Sequence, residues 1–173
     1  MNERSPAERT EPDLLALYDR ALPEVYGYLV SRCGDVALAE DLTAETFLAA
    51  VAAVRAGTAV MSVAWLIGIG RHKLVDHWRA RAREQRQLHT AYDAVPTGDD
   101  PWEQRLDVIR ARQTLELLAP HHRAVLVLRY LDDLTVPQVA AELGRTRHAA
   151  EALIVRARAA FRHAYEERSG GDE

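Results

Sequence analysis

The sequence predicts an all-α protein of two small helical domains joined by a flexible linker. Apolar residues recur at three- and four-residue steps through most of the 173 residues, which is the period of helices with one buried face. No stretch alternates apolar and polar residues for long enough to indicate a sheet. Between residues 88 and 101 the helical pattern stops in a segment with two prolines and a glycine, so the linker is placed there.

The first domain is predicted over residues 13–87, after a polar segment, 1–12, that we expect to be disordered. Its first helix begins at Asp13, where apolar residues start to recur at helical spacing. Pro23 falls inside that helix. Because proline removes a helical N–H and crowds the preceding turn, we expect a kink or a break after Leu22.

Two further helices complete the first domain. One is predicted over residues 36–55, and a glycine-containing loop, 56–59, ends it. The next begins at Ser62, whose hydroxyl suits an N-cap, and runs into an arginine-rich stretch. Gly68 and Gly70 each weaken its early turns by about 1 kcal/mol, which allows a bend there.

The second domain is predicted over residues 102–168 and is followed by a short tail, 169–173. Helical spacing resumes at Trp102, stops at Pro120 and then continues. Each domain is small enough that its core is marginal on its own.

The composition is that of an ordinary globular protein, with 48% apolar and 28% charged residues. The single cysteine, Cys33, excludes an internal disulfide and a multi-cysteine zinc site, which agrees with a reducing compartment. No apolar run approaches the ~20 residues that a membrane span needs, and the N-terminus lacks the pattern of a secretion signal. We therefore expect a cytoplasmic protein without membrane insertion.

The net charge of −4 conceals two basic segments in an otherwise acidic chain. Residues 71–86 carry six basic and two acidic side chains, and residues 145–162 carry five and one. Local fields matter more than the total charge for binding a polyanion. A single basic segment is commonly a solvated helix face, but one in each half of the chain indicates nucleic-acid binding.

Residues 134–162 have the pattern of a helix-turn-helix. Thr135 and Gln138 have capping-box spacing at the start of a short helix. Gly144 supplies the left-handed residue that ends this helix, and Thr146 can cap the next one. Such a unit lays its second helix in a DNA major groove. Many paired helices with glycine turns never touch DNA, but here the spacing, the caps and the basic residues agree.

Four segments, in this order along the chain, resemble the sigma-70 family of transcription initiation factors. Residues 39–47, AEDLTAETF, are similar to the family's polymerase-binding helix, and residues 65–81 to its minus-10 helix. Residues 118–130 and 134–158 are similar to its promoter-binding helix-turn-helix domain. The resemblance covers residues 13–168. With only two helical domains and a short linker, the chain resembles the extracytoplasmic-function (ECF) group.

The resemblance implies that the chain binds core RNA polymerase through its acidic helix, against the coiled-coil clamp of the largest subunits. The residues at the matching positions are Glu40, Asp41, Leu42, Glu45 and Thr46. Carboxylates on one helix face can meet arginines on a partner helix, although a solvated helix shows the same acidic face. Ala44 replaces a glutamine common in the family, which removes one polar contact.

The resemblance also implies that the third helix recognises the minus-10 element as the duplex opens. The matching residues are Arg71, His72, Lys73, Asp76, Arg79, Arg81 and Arg83. The basic ones are placed to hold phosphates, and His72 stands where the family usually has a base-reading asparagine. The loop 56–61 corresponds to one that pockets a flipped base, but it lacks the aromatic residue common there. Trp65 and Trp78 either pack in the core or stack on bases.

By the same resemblance, the second helix of the helix-turn-helix reads the minus-35 element. The matching residues are Arg145, Thr146, Arg147, His148, Glu151, Ala152, Val155, Arg156 and Arg158. Glu151 occupies a position that is usually basic, and Leu153 one that is usually arginine. A glutamate near phosphates weakens binding unless it accepts from a cytosine amino group, and Leu153 either touches a thymine methyl or packs. We therefore predict an unusual minus-35 preference.

No enzymatic chemistry is expected. The sequence has no phosphate-cradling glycine loop, zinc-protease motif or nucleophile–base set, and we predict neither a cofactor nor a metal. His121 and His122 are expected to face different sides of a helix, which argues against a joint site. The expected partners are core RNA polymerase, promoter DNA and, from the resemblance, an anti-sigma factor. The main alternative is a stand-alone helix-turn-helix regulator that acts without polymerase, whereas a protein-interaction module would need neither basic segment.

Overall fold

The computed structural model describes residues 6–57, 61–88 and 108–169, and their regular structure is entirely helical. These residues form seven α-helices and one π-helical turn, which are α1 Pro6–Cys33, α2 Val36–Arg55, α3 Val63–Leu88, α4 Val108–Leu117, α5 Pro120–Leu126, the π turn Val127–Leu131, α6 Val136–Glu142 and α7 Arg147–Ser169. The all-α prediction is confirmed for this part of the chain. The start of the predicted disordered N-terminus, nearly all of the predicted linker and most of the tail lie outside the described residues.

The first helix differs from its prediction at two points. α1 begins at Pro6, earlier than the predicted Asp13, and it continues through Pro23, so the expected break after Leu22 is wrong. Pro23 leaves the carbonyl of Asp19 without its helical N–H partner, and both residues are exposed, so water can take that carbonyl. At helical spacing Pro23 lies on the opposite side from the buried Ala21 and Val25, which agrees with its exposure.

Short-range caps set the starts of α2 and α3, and of the two the sequence predicted only the cap of α3 at Ser62. Gly34 adopts a φ of 70°, and the Oδ1 atom of Asp35 accepts a 3.1 Å hydrogen bond from the backbone N–H of Leu38. At the start of α3, the Oγ atom of Ser62 accepts from the backbone N–H of Trp65 at 3.2 Å. Each cap satisfies one of the N–H groups that the first turn of a helix leaves without a partner.

The described contacts divide the chain into two compact units, Met1–Leu74 and Val75–Glu173. In the first unit α1 packs along α2, and the side chain of Leu29 on α1 approaches Gly70 of α3. A Cβ added to Gly70 would lie only 3.3 Å from the Oγ1 atom of Thr46, so the glycine lets α3 approach α2 closely. The core of this unit contains Val25, Leu29, Ala39, Ala50 and Leu66.

The second unit contains the C-terminal half of α3 together with α4 to α7. The sequence had assigned the whole third helix to the first domain. In the structure Trp78 and Ala82 are buried and line a cavity with Leu143 and Leu153, which places this half of α3 in the second unit. The remaining core of this unit contains Val125, Val127, Leu128, Val139, Ala150 and Ala157.

The π turn changes which side chains face solvent. The backbone N–H of Asp132 donates to the carbonyl of Val127 at 3.0 Å, a bond that spans five residues rather than four. In the sequence Tyr130 and Leu131 continue the apolar helical pattern of Val125, Leu126 and Leu128. In the structure both lie in the π turn, and their exposed fractions are 54% and 37%.

Candidate functional site

The helix-turn-helix forms in the second unit with its predicted local contacts. The side-chain Oε1 atom of Gln138 accepts from the N–H and from the hydroxyl of Thr135, both at 2.8 Å, at the start of α6. Gly144 ends α6 with a φ of 58°. The Oγ1 atom of Thr146 then accepts from the N–H of Ala149 at 3.2 Å at the start of α7. The turn and both caps are thus confirmed, and they fix the direction in which α7 leaves α6.

The solvent face of α7 carries a charged pair followed by an apolar residue. The Nε atom of Arg147 donates to the Oε1 atom of Glu151 at 2.8 Å, and Val155, one turn later, is 49% exposed. His148 is exposed and Ala152 partly exposed beside them. The exposed stripe is therefore at successive turns of one face, the arrangement that a major groove can receive.

Leu153 packs in the core. It is 2% exposed and lines the cavity that Trp78 also lines, so of the two alternatives left by the sequence, packing is the one the structure supports. An inward-facing leucine therefore stands where the resemblance led us to expect an arginine. Among the basic residues of the segment, Arg145 and Arg158 are exposed and Arg156 is partly buried.

The acidic face of α2 separates into an exposed set and a buried set. Glu40, Asp41 and Glu45 are exposed, whereas Leu42 is 4% and Thr46 0% exposed. The hydroxyl of Thr46 donates to the carbonyl of Leu42 at 2.7 Å within the helix. The three carboxylates therefore face solvent, where a partner can reach them. The two buried residues anchor α2 in the core of the first unit.

One ion pair joins the acidic and basic candidates within the first unit. The Nζ atom of Lys73 on α3 lies 3.2 Å from the Oε2 atom of Glu45 on α2, and the side chains are 35% and 53% exposed. A pair this exposed contributes about 0–1 kcal/mol to stability. The contact places the start of the predicted minus-10 surface directly against the predicted polymerase surface.

The second half of α3 is partly engaged within the second unit. Arg79 donates to the Oδ1 atom of Asp76 at 3.4 Å and to the carbonyl of Leu143 at 2.6 Å. Trp78 is 3% exposed, so it packs in the core rather than offering a face to a base. Trp65 is partly exposed. Among the remaining minus-10 candidates, the exposed ones are His72, Arg81 and Arg83, and Arg71 is partly exposed.

Two apolar clefts were not anticipated from the sequence. In the first unit Tyr18 and Phe47 meet edge to face, with ring centroids 4.7 Å apart, and line an open cavity of about 490 Å³ beside Glu40. In the second unit Tyr130 and Phe161 line one of about 280 Å³. Helical spacing places these aromatic residues in the apolar stripes of their helices, and spacing alone does not reveal a cleft.

The described residues offer no metal site, since no group of three or more His, Cys, Asp or Glu side chains comes together among them. The rings of His121 and His122 lie with centroids 4.2 Å apart, so the expectation that they face different sides is wrong. Both lie in the first turn of α5. Among the helices described, none combines the length and the apolarity that crossing a bilayer requires.

Two family profiles match the chain. The profile described as Sigma-70 region 2 matches residues 17–84, and the profile described as Sigma-70, region 4 matches residues 109–161. The first contains the acidic face of α2 and the basic residues of α3, and the second contains the helix-turn-helix. The two matches leave between them the segment predicted as linker.

Curated relatives and a solved structure agree with these matches. The chain is 33% identical over 149 residues to the ECF RNA polymerase sigma factor BldN of Streptomyces coelicolor, with 82% of this chain and 56% of that protein covered. It is 31% identical over 133 residues to the ECF RNA polymerase sigma factor SigL of Mycobacterium tuberculosis, with 75% of each covered. The fold is similar to that of the sigma factor RpoE in its complex with the anti-sigma factor NepR from Bartonella quintana, with a TM-score of 0.53, 21% identity and 86% and 94% of the two chains covered.

Proposed function

This chain belongs to the sigma-70 family of RNA polymerase sigma factors, in its ECF group, and we propose that it directs core RNA polymerase to specific promoters as an initiation factor. The observation that carries this proposal is the distribution of exposed charge over the two matched segments. Carboxylates are exposed on α2, while basic side chains are exposed on α3 and α7. A polymerase contact and two separate DNA contacts account for all three surfaces.

The polymerase contact is assigned to α2. Glu40, Asp41 and Glu45 present three carboxylates on a helix that Leu42 and Thr46 anchor in the core. A rigid acidic helix suits a basic helical partner, because complementary charges steer the encounter and fix the register. The cleft beside Glu40 adds apolar area next to these charges. Residues 13–87 accordingly act as the domain that binds polymerase and the minus-10 element.

The minus-10 contact is assigned to the exposed face of α3. His72, Arg81 and Arg83 are exposed. Lys73 is partly exposed and forms an ion pair with Glu45. Arginine and lysine hold the phosphates and set the position of the strand, and His72 is the side chain that can donate to or accept from a base. Arg79 takes part once it exchanges the carbonyl of Leu143 for a phosphate.

The minus-35 contact is assigned to α7 within residues 102–168. The capped turn between α6 and α7 presents Arg147, Glu151 and Val155 on one face, and Arg145 and Arg158 are exposed near it. Base edges are read by the first set and phosphates are held by the second. The two domains thus each contact one of the two promoter elements.

The protein acts by binding polymerase and DNA rather than by catalysing a reaction itself. We infer that it acts in the cytoplasm, where core polymerase and promoter DNA are found. Because the similar RpoE structure is a complex with an anti-sigma factor, we further infer that a regulatory protein of this kind covers the polymerase-binding and DNA-binding faces.

In-vitro transcription tests the proposal. Core polymerase with the full chain should start transcripts at promoters that core polymerase alone ignores, and initiation should fall as salt rises because phosphate contacts release counterions. The variant Asp41→Lys should lose binding to core polymerase, while Glu24→Lys, an equal charge reversal at an exposed site of α1, should retain it. A stand-alone regulator would instead bind its DNA without polymerase, usually as a dimer on a two-fold site, and both variants would then behave alike.

A further inference from the structure

One acidic side chain stands in the basic segment that enters the groove. Glu151 is the only Asp or Glu among residues 145–162. It is half-exposed on the face of α7 that also carries Val155. A carboxylate here repels the phosphates that the neighbouring arginines are meant to hold, so its presence weakens binding unless it performs a separate task.

The ion pair with Arg147 indicates that task. The guanidinium group has five N–H donors in one rigid plane, and Glu151 accepts from the Nε–H at 2.8 Å. The two Nη atoms at the far end of the guanidinium can still donate side by side to a ligand, and the side chain of Arg147 is 73% exposed. This end-on pair is the donor set that matches the O6 and N7 atoms of guanine in the major groove.

The pair also reduces the cost of ordering the arginine. An exposed arginine samples many rotamers and loses that freedom when it binds a base. A charge-assisted bond to a carboxylate one turn further along α7 restricts the side chain before DNA arrives. Because the partner sits on the same helix, the orientation of the guanidinium is set relative to α7 and hence relative to the groove.

We propose that Glu151 is a positioning residue which holds Arg147 in the orientation that reads a guanine of the minus-35 element. Arg147 then contacts the guanine, and Glu151 influences base preference by orienting Arg147 rather than by approaching a phosphate itself. The inference rests on the proposed function, because only promoter DNA in contact with α7 brings base edges to Arg147.

Selection from a promoter library tests the pair. Holoenzyme assembled from core polymerase and the full chain selects from duplexes whose minus-35 segment is randomised. The native chain should enrich guanine at one position, and Arg147→Ala should remove that preference, a loss of roughly 5- to 150-fold in discrimination. Glu151→Ala should reduce the preference at that same position by several-fold, and Glu151→Gln, which keeps an acceptor oxygen, should reduce it less. The double variant should lose no more than Arg147→Ala alone.

A matched pair on the same helix supplies the control. His163 and Glu167 lie 3.2 Å apart with the same i, i+4 spacing and are both exposed, two turns beyond Val155. The variant Glu167→Ala removes an acidic side chain from α7 without touching Arg147, so it should leave the guanine preference unchanged. If Glu167→Ala and Glu151→Ala alter selection equally, the effect belongs to the stability or charge of the helix and the inference is wrong.

Three further outcomes separate this inference from the proposed function. A uniform rise in DNA affinity for Glu151→Ala, with the guanine preference intact, would show that the carboxylate acts only by repelling phosphates and would overturn the inference. A transcribing holoenzyme that enriches no guanine would overturn it while the proposed function stands. Failure of the chain to join core polymerase would overturn the proposed function and, with it, the inference.

Discussion

Replacing Gly144 with alanine should destabilise the second unit by about 2 kcal/mol. Gly144 has a φ of 58°, a conformation that costs a residue with a Cβ roughly 1–2 kcal/mol. The new Cβ would also meet the guanidinium of Arg79, which donates to the carbonyl of Leu143 at 2.6 Å. Arg79 must then move away and lose a half-exposed hydrogen bond that contributes about 0.5–1.5 kcal/mol.

Thermal and urea unfolding of the full chain, followed by circular dichroism, measures this change. A loss of 2 kcal/mol lowers the melting temperature of a unit of this size by roughly 8–16 °C. The control Gly144→Asn should cost less, because asparagine tolerates the left-handed conformation. Combining Gly144→Ala with Arg79→Ala should cost less than the sum of the two single changes, because Arg79 no longer has a bond to lose.

Two results would refute the reasoning. If Gly144→Ala unfolds at the same urea concentration as the native chain, the turn does not depend on a left-handed residue. If the alanine and asparagine variants are equally unstable in the Arg79→Ala background, the backbone conformation is not the cause of the loss.

Three other changes test the remaining elements. Asp35→Ala removes the 3.1 Å cap of α2 and should lower the stability of the first unit by about 1 kcal/mol in urea unfolding, so an unchanged midpoint would contradict the cap. Leu153→Ala should lower the free energy of unfolding by about 2–5 kcal/mol without changing the base preference. Val155→Ala should change the free energy of unfolding by no more than about 0.5 kcal/mol and should weaken selection for thymine. The reverse outcome would mean that Val155 is buried and that Leu153 faces the DNA. Arg81→Ala should reduce the salt dependence of promoter binding by a slope of about 0.9, and an unchanged slope would remove Arg81 from the phosphate contacts.

The features that the sequence predicted correctly are those set by neighbours along the chain. Thr135, Gly144 and Thr146 bond within a few residues of themselves, so their spacing alone predicts the two caps and the turn. Ser62 behaves in the same way at α3, whereas the cap that Asp35 supplies at α2 was not among the predictions. A short loop of backbone has few ways to satisfy its N–H groups, and residue type largely selects among them.

The features that it did not predict depend on contacts between distant residues. From its spacing, Trp78 could either pack in the core or stack on a base. Its burial beside Leu143 and Leu153 shows that it packs in the core. The ion pair between Lys73 and Glu45 joins two helices, so the spacing of residues within either helix does not predict it. Of the candidate site, the acidic face of α2 follows from periodicity and the basic residues of α3 and α7 from the distribution of charge along the chain, whereas the pairing of Lys73 with Glu45 follows from neither.

If Lys73 binds DNA and Glu45 binds polymerase, as proposed above, the contact between them links the two binding events by thermodynamic reciprocity. A phosphate that takes the ammonium group leaves the carboxylate without its counter-charge, and a basic partner that takes the carboxylate frees the ammonium group. Whatever factor polymerase docking adds to DNA affinity through this pair, DNA must return to polymerase affinity. Since the pair is half-exposed, with its atoms 3.2 Å apart, that factor is at most about fivefold, the equivalent of 1 kcal/mol. With Lys73 and Glu45 in their proposed roles, assembly of the initiation complex would thus gain a small, symmetric cooperativity from a single lysine, the only one in the chain.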